Sequence, residues 1–146
     1  MPTRVPEVAE VYRPQQRTSY RLPLYLERVS AGFPSPADDY QEGKLDLNEH
    51  LIPNPLATFF LRVAGDSMVE AGIHPGDLII VDRAIEPRDG KVVVAVVDGE
   101  LTLKRLRYRG GQPQLVPDNP QYPALAIGED TDCRIWGVVL HTIHSP

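Results

Sequence analysis

From Thr58 to Ile143 the chain is a succession of short apolar stretches, each closed by glycine, proline or an Asp-Gly pair. Helices need apolar residues at three- to four-residue intervals over a longer window, so stretches this short and this continuous are read as strands. They are Thr58–Ala64 (TFFLRVA), Asp77–Arg83 (DLIIVDR), Lys91–Val97 (KVVVAVV), Glu100–Tyr108 (ELTLKRLRY), Gln112–Pro117 (QPQLVP) and Arg134–Ile143 (RIWGVVLHTI). Asp98-Gly99 alone separates two of them, a strong signal for a two-residue hairpin. Five or six strands with tight turns and almost no helix specify a mainly β fold, a compact, strongly bent antiparallel domain.

Residues 1–31 are built differently. They hold Pro2, Pro6, Pro14 and Pro23 and no glycine. Proline at that density breaks long helices and central strands. The segment is expected to be an extended arm, with Leu22–Val29 able to pair as an edge strand; composition alone equally allows a disordered tail. The arm carries net charge +2 and the remainder −7, so the arm can dock loosely on the body in a salt-screened way. Ser30–Pro36 is expected to be exposed and irregular. Ser35 has the features of a helix cap, with Pro36 at the first helical position and Asp38 three residues on, which predicts a short helix near Pro36–Glu42. A further helical turn is expected at Leu47–Leu51, stopped by Pro53 and Pro55. The expected division is an arm at 1–31, a linker with short helical turns at 32–57 and a β-rich domain at 58–146.

The net charge of −5 disfavours bulk nucleic-acid binding through phosphate contacts. No apolar run reaches the roughly 18–20 residues of a membrane span. The N-terminal MPTRVPEVAEVY lacks the apolar core of a secretory signal. The single cysteine, Cys133, excludes an intrachain disulfide and a cysteine zinc cluster. The expectation is a soluble, cytoplasmic protein without metal or cofactor.

One loop carries chemistry. In Val63-Ala64-Gly65-Asp66-Ser67-Met68 a strand ends and a glycine turn presents Ser67. A serine on a loop held by rigid strands is where a nucleophile sits, although most such serines are solvent contacts or caps. A nucleophilic hydroxyl needs a base. None of His50, His74, His141 and His144 stands in a recognisable pattern with it, and His141-x-x-His144 lacks the spacing of a helical metal pair. Lysine is the rarer base. Lys104 lies mid-strand and, by the two-residue period, shares a face with Thr102 and Leu106, with Leu101, Leu103 and Arg105 opposite. Half-desolvated there, its amine would move from about 10.4 toward the 7–8 useful to a general base. The competing reading is a lysine that guards an edge strand against aggregation. Phe59 and Trp136 are core or interface residues.

Several motifs recur in order: Gly65-Asp66-Ser67-Met68, Ala71-Gly72-Ile73, Pro75-Gly76-Asp77, Ile80-Val81-Asp82-Arg83, Val97-Asp98-Gly99-Glu100, Thr102 with Lys104-Arg105-Leu106, Pro117-Asp118-Asn119-Pro120 with Tyr122-Pro123, and Gly137-Val138-Val139. From about Gly32 to Ile143 the chain resembles the LexA/UmuD family of self-cleaving serine–lysine peptidases. The resemblance implies Ser67 as nucleophile, Lys104 as general base, and backbone amides at Ser67 and Asp66 for the oxyanion. It also implies a substrate, the chain's own Ala31-Gly32 bond, because these proteins cut a small residue followed by glycine. Small residues let a strand bend into a site, and glycine tolerates unusual dihedrals. The 35 residues from Gly32 to Ser67 span roughly 100 Å extended, so reach is not limiting.

LexA-type repressors carry a helix-turn-helix domain before the cut. The 31 proline-broken residues here are too few and wrongly patterned for one, which excludes sequence-specific DNA binding. The resemblance therefore implies a UmuD-like role in SOS mutagenesis. The shortened chain, as a homodimer, would join a UmuC-like Y-family polymerase in error-prone translesion synthesis, with cleavage stimulated by RecA filaments on single-stranded DNA. Two alternatives are a signal peptidase, which would need a membrane anchor, and a non-cleaving polymerase-binding adaptor with a vestigial dyad.

Overall fold

Asp98 and Gly99 turn the chain with φ of 49° and 84°, both left-handed, as a tight hairpin with the right-handed twist of its strands requires. A computed structural model describes residues 7–15, 21–25, 41–127 and 132–146. The strands in chain order are β1 (Val8–Tyr12), β2 (Arg21–Tyr25), β3 (Gln41–Asp46), β4 (Thr58–Val63), β5 (Leu78–Asp82), β6 (Val92–Val97), β7 (Glu100–Arg109), β8 (Gln112–Val116), β9 (Leu125–Ala126) and β10 (Cys133–Ile143). A single α-helix among the described residues, α1, spans Leu47–Leu51.

The chain forms two compact units. In one, residues 15–53, β2 pairs antiparallel with β3, with Leu22 opposite Leu45. Asp46 caps α1 by accepting from the Asn48 N–H at 2.9 Å. The helical turn at Leu47–Leu51 is as expected. Gln41 and Glu42, expected to end a helix, are strand residues because β2 pairs with this segment, with Tyr25 opposite Gln41 and Leu24 opposite Gly43 and Glu42 at the irregularity between them. The rest of that predicted helix, the distal part of Leu22–Val29 and the Ala31-Gly32 bond lie outside the described residues.

The other unit, residues 1–14 and 54–146, contains an eight-stranded antiparallel sheet in the order β1-β4-β5-β10-β6-β7-β8-β9. All six expected strands are present. The other two strands of this sheet, β1 and β9, and β3 of the first unit are not signalled in the sequence. The last strand in the chain, β10, runs between β5 and β6 and bulges toward each, between Val139 and His141 and between Ile135 and Gly137. Bulges bend a strand and raise its twist. The bend closes the sheet on itself. In a flat sheet β4 and β7 would lie about 19 Å apart, four spacings of about 4.8 Å, yet the hydroxyl of Ser67, just past β4, is 3.1 Å from the Leu103 carbonyl oxygen in β7.

That curvature explains the continuous apolar run of β6. Val94 faces a core with Leu61, Val63, Met68, Ile73, Ile79, Val81 and Leu103. Val93, Ala95 and Val97 face a second core with Leu106, Leu115 and Val138. Both faces of β6 are covered, so neither needs polar residues. Phe59 and Trp136 are partly buried against the first core, with ring centroids 5.1 Å apart, edge to face. The Arg83 guanidinium lies 4.5 Å from the Trp136 centroid. No helix among the described residues is long and apolar enough to cross a membrane.

Candidate active site

Ser67 is placed by the residues around it. β4 ends at Val63, whose N–H donates to the Asp77 carbonyl at 2.9 Å and whose carbonyl accepts from the Gly76 N–H at 2.7 Å. Beyond Ser67 the Met68 side chain is 1% exposed and anchors the loop in the first core. A single 3₁₀ turn, Val69–Ala71, follows and ends on Gly72 at φ 81°, a left-handed position that suits glycine. Fixed at both ends, Ser67 is 3% exposed.

A second loop braces the first. The Asp118 carbonyl accepts from the Glu70 N–H at 2.9 Å. Asn119 Nδ2 donates to the Asp66 carbonyl at 2.9 Å, and the Tyr122 hydroxyl donates to Asp66 Oδ1 at 2.5 Å. Through that bond and its charge, the Asp66 carboxylate raises the Tyr122 pKa above the ordinary phenol value. Arg105 secures the bracing loop by a paired contact to Asp118, with Nη2 to Oδ2 at 2.6 Å and Nε to Oδ2 at 3.1 Å. Sequence reasoning quoted Asp118, Asn119 and Tyr122 only as parts of a motif. Their role depends on a contact between residues some fifty positions apart.

Lys104 lies on the face of β7 expected from the two-residue period. Its amine is 2.7 Å from Thr102 Oγ1, on the same face, and 3.0 Å from the Leu103 carbonyl oxygen. The residue is 8% exposed. Ser67 Oγ and Lys104 Nζ thus meet at one oxygen rather than bonding to each other. The amine also donates to the Glu7 carboxylate at 3.0 and 3.2 Å. Glu7 had no signal in the sequence. A cleft of about 600 Å³ opens over this group, lined among others by Glu7, Gly65, Asp66, Thr102, Lys104 and Tyr122.

Two of the four histidines meet elsewhere. His74 and His144 have ring centroids 5.2 Å apart, and His144 Nδ1 lies 2.5 Å from Asp77 Oδ1. Cys133 is partly buried, and burial with the charges of Asp132 and Asp98 pushes its thiol pKa up, away from what a nucleophilic cysteine needs. Among the described residues no group of His, Cys, Asp and Glu is arranged to hold a metal ion.

The assembled group is a buried serine and a buried lysine on facing loop and strand beside an open cleft, the parts that nucleophilic acyl transfer uses. Residues 23–140 match the Peptidase S24-like family. The protein ImpA of Escherichia coli is 50% identical over 133 residues, 90% of this chain and 89% of its own. SamA of Salmonella typhimurium is 50% identical over 137 residues, 94% and 93%. MucA of Escherichia coli is 45% identical over 125 residues, 85% of each. The relatives are of the UmuD type, matched along most of their length rather than over a shared segment. The chain therefore belongs to the Peptidase S24-like family, a family that includes self-cleaving serine peptidases.

Proposed function

We propose that this chain cuts its own backbone between Ala31 and Gly32, with Ser67 as nucleophile and Lys104 as general base. In the unprotonated state the Lys104 amine takes the Ser67 proton. The alkoxide attacks the Ala31 carbonyl carbon, and the resulting oxyanion is held by the backbone N–H groups of Ser67 and Asp66. As the C–N bond breaks, the Lys104 ammonium returns its proton to the Gly32 nitrogen. Water then hydrolyses the Ala31 ester on Ser67, with Lys104 again as base. The products are residues 1–31 and 32–146, so the cut divides the arm from the linker and β-rich domain, which stay together.

The observation that carries this reading is the shared acceptor. Ser67 Oγ lies 3.1 Å and Lys104 Nζ 3.0 Å from the Leu103 carbonyl oxygen. In the proposed reaction each side chain gives up that acceptor for the other residue. Attachment of the substrate to the enzyme supplies a high effective concentration, so weak side-chain recognition suffices. The downstream role that UmuD-type relatives support is SOS mutagenesis. In that role the shortened chain, as a homodimer in the cytoplasm, would act with a UmuC-like polymerase, and RecA filaments on single-stranded DNA would stimulate the cut.

The test is the intact mass of purified protein incubated at alkaline pH, with and without a RecA–DNA filament. Fragments 1–31 and 32–146 are expected from the native chain and none from Ser67→Ala. A Ser67→Ala chain still cut at the same bond removes Ser67 as nucleophile. A native chain that stays whole under both conditions leaves the non-cleaving adaptor as the reading.

A further inference from the structure

Glu7 sits where no sequence pattern placed a functional group, and its carboxylate meets three donors from consecutive residues of β7. Lys104 Nζ is 3.0 Å from Oε1, the Leu103 N–H is 2.8 Å from Oε2, and the Thr102 hydroxyl donates to Oε2. The donors converge for a topological reason. β8 pairs with β7 only from Arg105 onward. Ahead of that point the outward edge of β7 has no strand partner among the described residues, and Leu103 offers its N–H and carbonyl there. A partly buried edge N–H needs an acceptor. Glu7 supplies it from the opposite wall. Its backbone carbonyl accepts from the Ala64 N–H at 2.7 Å, which continues the β1–β4 ladder past Val8, while its side chain reaches across to β7.

We propose that Thr102, the Leu103 N–H and Lys104 form a carboxylate-binding site whose resident ligand in the intact chain is Glu7, and that Glu7 must leave before the site can work. One ammonium, one hydroxyl and one backbone N–H aimed at two oxygens form a recognition set for a carboxylate. Glu7, Thr102 and Leu103 take up the three hydrogens of a Lys104 ammonium, and an ammonium has no lone pair to offer Ser67. Glu7 also fills the strip between Gly65 and β7, since a Cβ on Gly65 would come within 3.0 Å of Glu7 Cγ. The ligand that replaces Glu7 is a carboxylate of the same reach, and the free C-terminus of a peptide is one. The blocking role rests on the cleavage reading above; the binding site does not.

Two measurements separate these. In a Ser67→Ala background, which keeps the chain whole, N-acetylalanine is titrated against the backbone amide NMR signals of Thr102 and Leu103. With Glu7→Ala added, saturable shifts are expected with the free acid and none with N-acetylalanine amide. With Glu7 present, neither compound should move them. Equal shifts from acid and amide, or no shifts, overturn the site. In the Ser67-containing chain, Glu7→Ala and the isosteric Glu7→Gln should each speed self-cleavage, about tenfold if the occupied arrangement is about nine-tenths populated. A native chain that cleaves while neither variant is faster overturns the blocking role. If no form cleaves but the titration behaves as described, the carboxylate site stands and the cleavage reading falls.

Discussion

Ser67 and Lys104 donate to the same atom, the Leu103 carbonyl oxygen, at 3.1 and 3.0 Å. They come from the loop after β4 and from β7, strands that three others separate in the sheet order. Their meeting is thus a product of sheet curvature and not of local sequence. A hydroxyl and an amine that share one acceptor are neighbours, and the proton transfer proposed between them requires each to give up that oxygen for the other.

The first prediction separates a base from a structural cation. Lys104→Ala should lower the rate of appearance of the 32–146 fragment by at least about 10³-fold, the scale on which loss of one member disables a catalytic group that acts as a unit. Lys104→Arg keeps the positive charge beside Glu7 but stays protonated and cannot accept the Ser67 proton. It should be as inactive as alanine, and the native rate should rise with pH. An active arginine variant would assign Lys104 a purely electrostatic role.

Asn119 is expected to act through Asp66. Its Nδ2 holds the Asp66 carbonyl at 2.9 Å, and that carbonyl shares a planar trans peptide with the Ser67 N–H. Fixing one end fixes the other, so Asn119 aims the N–H proposed for the oxyanion. Its Oδ1 accepts from the Gln121 N–H at 3.0 Å. Asn119→Asp retains that acceptor and loses the donor. Cleavage should slow by roughly 10–100-fold while thermal unfolding changes by only about 1–2 kcal/mol. A variant that unfolds early but cleaves at the native rate, once folded, would confine Asn119 to stability.

Legibility in the sequence followed the range of the interaction. Asp98-Gly99, the apolar runs and the two-residue alternation around Lys104 are local, and the hairpin, the six strands and the shared face of Thr102 and Lys104 follow from them. β1 is a strand because β4 offers it an edge, and nothing within Val8–Tyr12 announces that. Glu7 was one of three acidic residues in a weakly basic arm, and its place beside Lys104 depends on a contact 97 residues away. The linker was harder for the same reason, since Gln41 and Glu42 take their conformation from β2 rather than from the cap ahead of them.

Asp77 should make the fold acid-sensitive. Burial pushes its carboxyl pKa up, but the His74 N–H at 2.8 Å and the His144 ring outweigh burial and hold it below the usual carboxylate range. A pKa lowered by folding contributes stability that is present above the unfolded value, about 3.9, and is lost as pH falls through the folded value. Asp77→Asn should therefore be less stable than the native chain at pH 7 by roughly 1–3 kcal/mol, with the gap closing in acid. Urea midpoints at pH 7 and pH 3 measure it; a gap that is constant or wider at pH 3 would contradict the assignment.

Gly137 lies where the bulged β10 presses on β5. A Cβ there would sit 2.5 Å from Val81 Cγ1 and 3.3 Å from Arg83 Cγ. Val81 is fully buried in the first core and has no space to retreat. Gly137→Ala should cost about 1–3 kcal/mol by overpacking. Val81→Ala alone should cost about as much or more, by leaving a cavity. Together the two should cost less than their sum, because the new methyl enters space that the lost ones vacate. Additive losses in urea unfolding would mean that the backbone moves apart at the bulge instead. The curvature that brings Ser67 to Lys104 would then yield before the core, and the Gly137→Ala chain would also lose cleavage, which the packing argument does not expect.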